Sequence, residues 1–435
     1  MKFKRTGYIV TRQYSLYFAA VFSAVIVHSA RAATITANDC GALSVQRAIN
    51  GAFDRDTVLV PPGEATWETP VEIREKSVVV KGSGPGKTVI IDGTTHDWDQ
   101  TPFNIHGGDN KPWRITGFTF KGNNDSHGFI QIRGNTKNWR IDHCIFDSLP
   151  SRCINIRGHT YGVIDHCDFI MIGQNIICVR DENPDASWRT PLALGTADAV
   201  YVEDCFLERS GNYQGNCIDG NLGGRFVVRY NTIHNASAYC HGTCNTRDRG
   251  TFSYEIYGNR FTSDGPLWYG TTLRGGTGVI FDNRWEGTVD NAIAVVNYRT
   301  CQDAGNDQCG RYGWNRCDGT SPVDGNEDET GYPCLDQIGR STDQSLEPLY
   351  EWNNTINGKD ADIDVINPWK CENPSMDDHI KEGRDFYTNT RRPGYSPYPY
   401  PHPLTRTGEK YGEPKESDQT KIKNHGPANL RICTE

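Results

Sequence analysis

The 435-residue sequence contains only 3 methionines and 15 leucines. Helices draw on Leu, Ala and Met, so this scarcity argues against a helical protein. No apolar run reaches the ~20 residues that a membrane-spanning helix needs, which excludes membrane insertion of that kind. Positive charge is also short, with 45 Lys and Arg against 54 Asp and Glu. Nucleic acids and anionic membranes require clustered cations, so the balance argues against both as partners. Among 15 cysteines no C-x-x-C pair marks a zinc site.

Glycine (45) and asparagine (32) are plentiful, and both collect where a chain turns. The N-terminus carries Lys2, Lys4, Arg5 and Arg12, then the charge-free stretch 16–27 (LYFAAVFSAVIV), then Ala30-Arg31-Ala32. That order predicts a signal peptide over residues 1–32 and a secreted or periplasmic protein. Its removal takes five basic residues and no acidic ones, leaving 40 against 54, a net charge of −14.

A repeat organises the remainder. Eight octets align without gaps: WRITGFTF (113–120), WRIDHCIF (139–146), GVIDHCDF (162–169), VYVEDCFL (200–207), FVVRYNTI (226–233), YEIYGNRF (254–261), GVIFDNRW (278–285) and LYEWNNTI (349–356). The eighth position is always apolar, and the third is Ile or Val except at Glu351. The sixth runs Phe118, Cys144, Cys167, Cys205, Asn231, Asn259, Asn283, Asn354, in steps of 26, 23, 38, 26, 28, 24 and 71 residues. Short alternating strands at this period, without the leucine-rich signature, predict a parallel β-helix whose coils bury their interiors against one another. Leu43 to Phe53 is an amphipathic segment suited to capping the open N-terminal end. The string GSGPGKT (82–88) lacks the first Gly of a phosphate loop, since position 81 is Lys81, and it reads as a turn.

With DTVLVPPGEATWETPVEI (56–73), KSVVVKGSG (76–84) and the W-R-I-D-H string at 139–143, the chain resembles the pectin- and pectate-lyase-like superfamily over residues 40 to 360. The tail RPGYSPYPYPHPL (392–404) is similar to that of bacterial β-helix proteins of undefined activity. The resemblance implies an all-β, right-handed parallel β-helix (solenoid). The R-x-P-x-x-R of pectate lyases is missing, as are the N-T-D, G-H-G and R-I-K set of polygalacturonases and the D-P-H-D of alginate epimerases. The expected organisation is a β-helix domain over 33–360 with an N-terminal cap and a Cys-rich insertion at 300–347. An extended Pro/Tyr-rich tail follows over 361–435.

A second register lies upstream of the octets. Strands there end in Ile132-Arg133, Ile156-Arg157, Val179-Arg180, Ile218-Asp219, Cys240-His241, Leu273-Arg274 and Val296-Asn297. Apolar residues at period 2 point inward, so their neighbours point out, and stacked coils line those up at about 4.8 Å intervals. The predicted column is Arg133, Arg157, Arg180, Asp219, His241, Arg274, Asn297. Like charges so stacked repel unless an anion lies across them. The planar fork of Arg suits carboxylate or sulfate. An acidic polysaccharide is the expected partner, and the chain is expected to act as a monomer. The loops after Arg180 and His241 wall the column and add Arg247 and Arg249.

β-Elimination from a uronic acid needs a cation at the carboxylate, a base and an acid. Arg180 and Arg274 are candidates for the first role and His241 for the base. Asp219 would orient the His, and Tyr239 would be the acid or an alternative base. Hydrolysis instead needs two carboxyls, with Asp181 or Asp248 as partner to Asp219. A non-catalytic carbohydrate binder is the third reading.

Position four of the octets carries Asp142, Asp165, Glu203 and Arg229. These are either a Ca²⁺ column or, more plainly, ion pairs with Arg140, His143, His166 and Arg229. In the insertion, Asp324, Asn326 and Asp328 have the 1, 3, 5 oxygen spacing of a Ca²⁺ loop, without Gly at the sixth position (Glu329) or Glu at the twelfth (Leu335). Ca²⁺ is the only cofactor the sequence suggests. Export favours disulfides among Cys301, Cys309, Cys317 and Cys334, and a coil-to-coil bridge between Cys178 and Cys217.

Overall fold

Each octet folds as two short strands hinged at its fifth residue. Those hinges are Gly117, His143, His166, Asp204, Tyr230, Gly258, Asp282 and Asn353, all left-handed, with φ between 50° and 77°. Six of the eight are not glycine. A left-handed backbone costs an L-residue energy, so the side chain next along must hold the hinge in place. That residue is the sixth of the octet. Asn231, Asn259, Asn283 and Asn354 stack, each side-chain oxygen accepting the backbone N–H of the residue one coil earlier, at 2.9–3.1 Å. Their amide nitrogens donate to the previous coil, as Asn283 does to Ile256 O at 2.8 Å. Cys144, Cys167 and Cys205 occupy the same place in earlier coils and donate weakly to the carbonyl two residues back, at 3.3–3.4 Å.

The computed structural model describes residues 32–94, 101–123, 128–211, 215–243, 249–296, 335–366 and 380–406. Among them the first half of each octet joins a twelve-stranded sheet. The second half, with the upstream strands, joins a nineteen-stranded one. All pairings are parallel except that of Thr355–Ile356 with Lys359–Asp360. Neighbouring octets are in register throughout, as Asp142 with Asp165, Asp165 with Glu203 and Glu203 with Arg229. The chain is thus an all-β parallel solenoid.

The interior is filled by like residues stacked on like. Phe120, Phe146 and Phe169 stack at 5.2 and 4.6 Å, and Phe261 stacks on Trp285 at 5.0 Å. At the N-terminal end a helix, Ala42–Gly51, turns Val45, Ala48 and Ile49 onto the first coils. Glu351, the one acid at an inward third position, is fully buried and bonded by Asn354 Nδ2 (2.6 Å) and Asn389 N (3.1 Å).

The outer face of the twelve-stranded sheet carries the charged column. Arg140 binds Asp165 with two 2.7 Å bonds, Arg114 binds Asp142 likewise, and Arg229 pairs with Glu203. His143 and His166 each set Nδ1 on the adjacent carboxylate, at 2.6 and 2.8 Å. Burial alone would raise the Asp142 carboxyl; the hydrogen bond and charge of Arg114, with Arg140 and His143, hold it lowered. Ion pairing therefore accounts for this column, and among the described residues no cluster of metal-binding side chains is found. Residues 391–406 lie across the same face. Arg229 donates to Tyr398 O (2.7 Å) and Pro399 O (2.9 Å), Arg140 to Leu404 O (3.1 Å), and His402 N to Glu203 (2.8 Å).

All eight described cysteines are buried free thiols. The expected Cys178–Cys217 bridge is corrected by register: Cys178 stands opposite Asp219, because Ile177 pairs with Ile218. Cys301, Cys309, Cys317 and Cys334, like Asp324, Asn326, Asp328 and residues 1–31, lie outside the described residues.

The Asn ladder makes a testable claim about stability. Asn283→Ala strands the buried N–H of Asn259 and removes a donor from Asn354, and should cost about 3 kcal/mol. Urea denaturation measures it. Asn283→Cys, the residue used in earlier coils, should cost less than the alanine.

Candidate functional site

The upstream strands Ile130–Gly134, Ile154–Arg157, Ile177–Arg180, Asn216–Gly220 and Ser237–Cys240 stack in parallel, followed by the end of Arg260–Leu273. Their inward residues (Ile132, Ile156, Val179, Cys240, Leu273) join the core. The intervening residues face out in two columns. In the outer one, Arg133 pairs with Arg157 and Arg157 with Arg180. It continues through His241, whose neighbour Cys240 pairs with Leu273, and so to Arg274. Arg133, Arg157, Arg180, His241 and Arg274 therefore share one face.

Asp219 is displaced from the predicted column. Val179 pairs with Gly220, so the place beside Arg180 belongs to Asn221. Asp219 stands two residues earlier on the same face, between Cys178 and Tyr239. The strand runs one residue pair further than its Ile218-Asp219 end suggests: Gly220, not Ile218, is the partner of Val179 and of Cys240. In that place the carboxylate is buried, its side chain 3% exposed.

There Asp219 meets His241, whose Nε2 lies 2.7 Å from Oδ1. Oδ2 accepts Asn175 Nδ2 at 2.8 Å and the Cys178 thiol at 3.7 Å. Asn175 is held in turn by Asn216 (3.0 Å), and Asn216 by Ser237 (3.0 Å). Burial pushes the Asp219 carboxyl up. The hydrogen bond and charge of His241, with the charges of Arg180 and Arg152, outweigh this and hold it below its ordinary value. Burial, reinforced by that carboxylate, pushes the Cys178 thiol up to about 12, so Cys178 is a donor here and no nucleophile.

The other ring nitrogen of His241 faces Arg274, whose Nη1 is 3.4 Å from Nδ1 and 3.2 Å from the Tyr239 hydroxyl. The Tyr239 and His241 rings lie 4.6 Å apart. The cluster Asp219–His241–Arg274–Tyr239 thus joins a buried anion, an imidazole, a guanidinium and a phenol in one chain of contacts. Such a set can bind a carboxylate, move a proton and protonate a leaving oxygen.

Other expected residues have different roles. Arg249 is in ion pairs, with Asp336 through two bonds (2.8 and 2.7 Å) and with Asp185 (2.6 Å). Asp181 accepts Asn183 N at 2.8 Å and lies 3.2 Å from His159 Nδ1. Arg247, Asp248 and Asn297 lie outside the described residues. Arg152 and Asn175 were missed by sequence reasoning. They reach the floor from turns between strands, where no periodic pattern marks direction.

No family model matches the chain, and no curated protein sequence matches it. Among solved structures it is similar to the catalytic unit of a GH87 alpha-1,3-glucanase from Streptomyces thermodiastaticus (12% identity, 60% of this chain, 58% of that one, TM-score 0.42). It is also similar to an alginate lyase from a Paenibacillus species (13%, 59% and 99%, TM-score 0.36) and to ORF18 of Geobacillus virus E2 (11%, 80% and 60%, TM-score 0.37). The chain thus spans less than two thirds of the glucanase unit.

The lowered Asp219 carboxyl fixes a pH dependence. Its stabilising contribution is complete above the unfolded carboxylate value of ~3.9 and is lost as pH falls through its lower folded value. Asp219→Asn, which leaves His241, Arg180 and Arg152 without their anion, should cost about 3–5 kcal/mol at neutral pH. Urea midpoints from pH 2 to 7 should show a smaller acid-side loss in the variant than in the native protein.

Proposed function

We propose that this is an exported polysaccharide-active β-solenoid that cleaves a uronate-containing chain by β-elimination. The observation that supports this reading is the contact chain from Asp219 through His241 and Arg274 to Tyr239. In the proposed reaction the carboxylate of the reacting sugar engages Arg274, which neutralises it and acidifies the adjoining C5–H, while Arg180, three coils away, holds the carboxylate of a neighbouring sugar. Engagement draws Arg274 Nη1 off His241 Nδ1 and exposes that lone pair. Nδ1 takes the C5 proton, and ionised Asp219 stabilises the imidazolium. The electron pair forms the C4=C5 double bond as C4–O breaks, and Tyr239 gives its proton to the departing oxygen. Proton return from His241 to the tyrosinate resets both groups.

Hydrolysis would require a second carboxyl across the bond from Asp219. Asp181 is occupied by His159 and Asn183, so elimination suits the cluster better. Ca²⁺ at Asp324, Asn326 and Asp328 is proposed for the insertion and takes no part in these steps.

The test is an assay on polygalacturonate, alginate and glycosaminoglycans, with and without Ca²⁺, followed at the ultraviolet absorbance of the unsaturated sugar end. Activity on at least one is expected, falling by about 10²–10⁴ in His241→Ala with the fold retained. Reducing ends released without ultraviolet absorbance would identify a hydrolase, and retention of polymer without cleavage a binder. Either result overturns the lyase reading.

A further inference from the structure

The outward column is not symmetrical about the reacting cluster. Before it stand Arg133, Arg157 and Arg180 on successive coils. Beyond it the column has one arginine, Arg274. The next position is Val296, fully buried and apolar, since Leu273 pairs with Val295. In the opposite direction the column continues to His106 and Arg74. There Arg74 pairs with Glu72 through two 2.7 Å bonds. Burial, with the charges of Arg74 and Arg133, depresses His106 toward its neutral form.

The floor changes in step. The second column, one pair of residues inward, reads Asn104, Gln131 and Asn155, all buried neutral amides, before it reaches Cys178 and then Asp219. The coils under Arg133 and Arg157 thus offer positive charge above and neutral dipoles below. The described residues of this second column are amides there, neither acid nor base. On this face the buried carboxylate of Asp219 and its histidine, His241, come from two successive coils.

We infer that the cleft is a one-sided anion ladder: a linear polyanion lies along the solenoid axis, with about three charged units on the Arg133 side of the His241–Asp219 pair and one on the Arg274 side. From the coil of Arg133 to that of Arg274 there are five steps, or about 24 Å. The ligand class is a chain bearing one carboxylate per sugar, whose repeat approximates the coil spacing, so that successive charges meet successive guanidinium groups. Recognition is by charge spacing. This placement deepens the lyase reading and rests on it for the position of cleavage: one product should be short, and efficient substrates should be long.

The probes are size-graded oligogalacturonates and oligomannuronates of two to eight units, titrated calorimetrically into the full chain and, separately, assayed for cleavage. Affinity is expected to rise with each unit up to about five or six and then level off. Arg133→Ala should weaken the hexamer about tenfold, equivalent to 1.4 kcal/mol, and the dimer less than twofold. Arg157→Gln should behave alike and guards against a folding defect in the first variant. Failure of both probes to bind at millimolar concentration, affinity independent of length, or equal losses for dimer and hexamer would each overturn the ladder. Length-dependent binding without cleavage upholds the ladder and removes the lyase. Cleavage at equal rates for all lengths does the reverse.

Discussion

Every feature of this protein depends on the in-register parallel stacking of one coil on the next. A coil of some 25 residues has no core of its own; its inward side chains are buried only by the coils above and below. Stacking at about 4.8 Å turns each sequence position into a column, so any residue type recurring in register meets its own kind. The molecule uses this where like pairs attract, as in the Phe120–Phe146–Phe169 stack and the Asn ladder. Where like charges would repel, partners are interleaved: on the twelve-stranded sheet, Arg114 reaches forward to Asp142 and Arg140 to Asp165, each guanidinium serving the next coil.

The site column breaks that pattern. Arg133, Arg157 and Arg180 are stacked in register, with Asp219 set two residues aside from their line. The single acid does not neutralise the column evenly. It acts on His241, Arg180 and Arg152, which come from neighbouring coils. Burial of Asp219 matters for the same reason. An exposed carboxylate would be screened by water, whereas at the floor its charge acts on His241 through little solvent.

The two faces of the solenoid do different work with similar residues. On one, buried Arg229 and Glu203 hold the backbone of residues 398–402, so their charge is spent inside the molecule. On the other, turn residues Arg152 and Asn175 attend the buried Asp219, and Arg249 is tied to Asp336 and Asp185.

The sequence by itself determined the coil. The octets, their apolar eighth positions and the Cys and Asn runs specify strand, hinge and strand, because an inward position tolerates only what its stacked neighbours can bury. It also placed Arg133, Arg157 and Arg180 in one column, and His241 beside Arg274, since period-2 alternation carries direction. Only the tertiary structure decided where Asp219 stands and that Asn175 and Arg152 attend it. It likewise decided that Cys178 faces that carboxylate and not Cys217. The reason is physical. Alternation fixes which face a residue takes, but a slip of two residues keeps the face and changes the neighbour, and only the folded register shows that Val179 meets Gly220 and not Ile218. Turns have no period from which direction could be read. Register along the axis is settled by hydrogen bonds between coils, and those exist only once the coils are stacked.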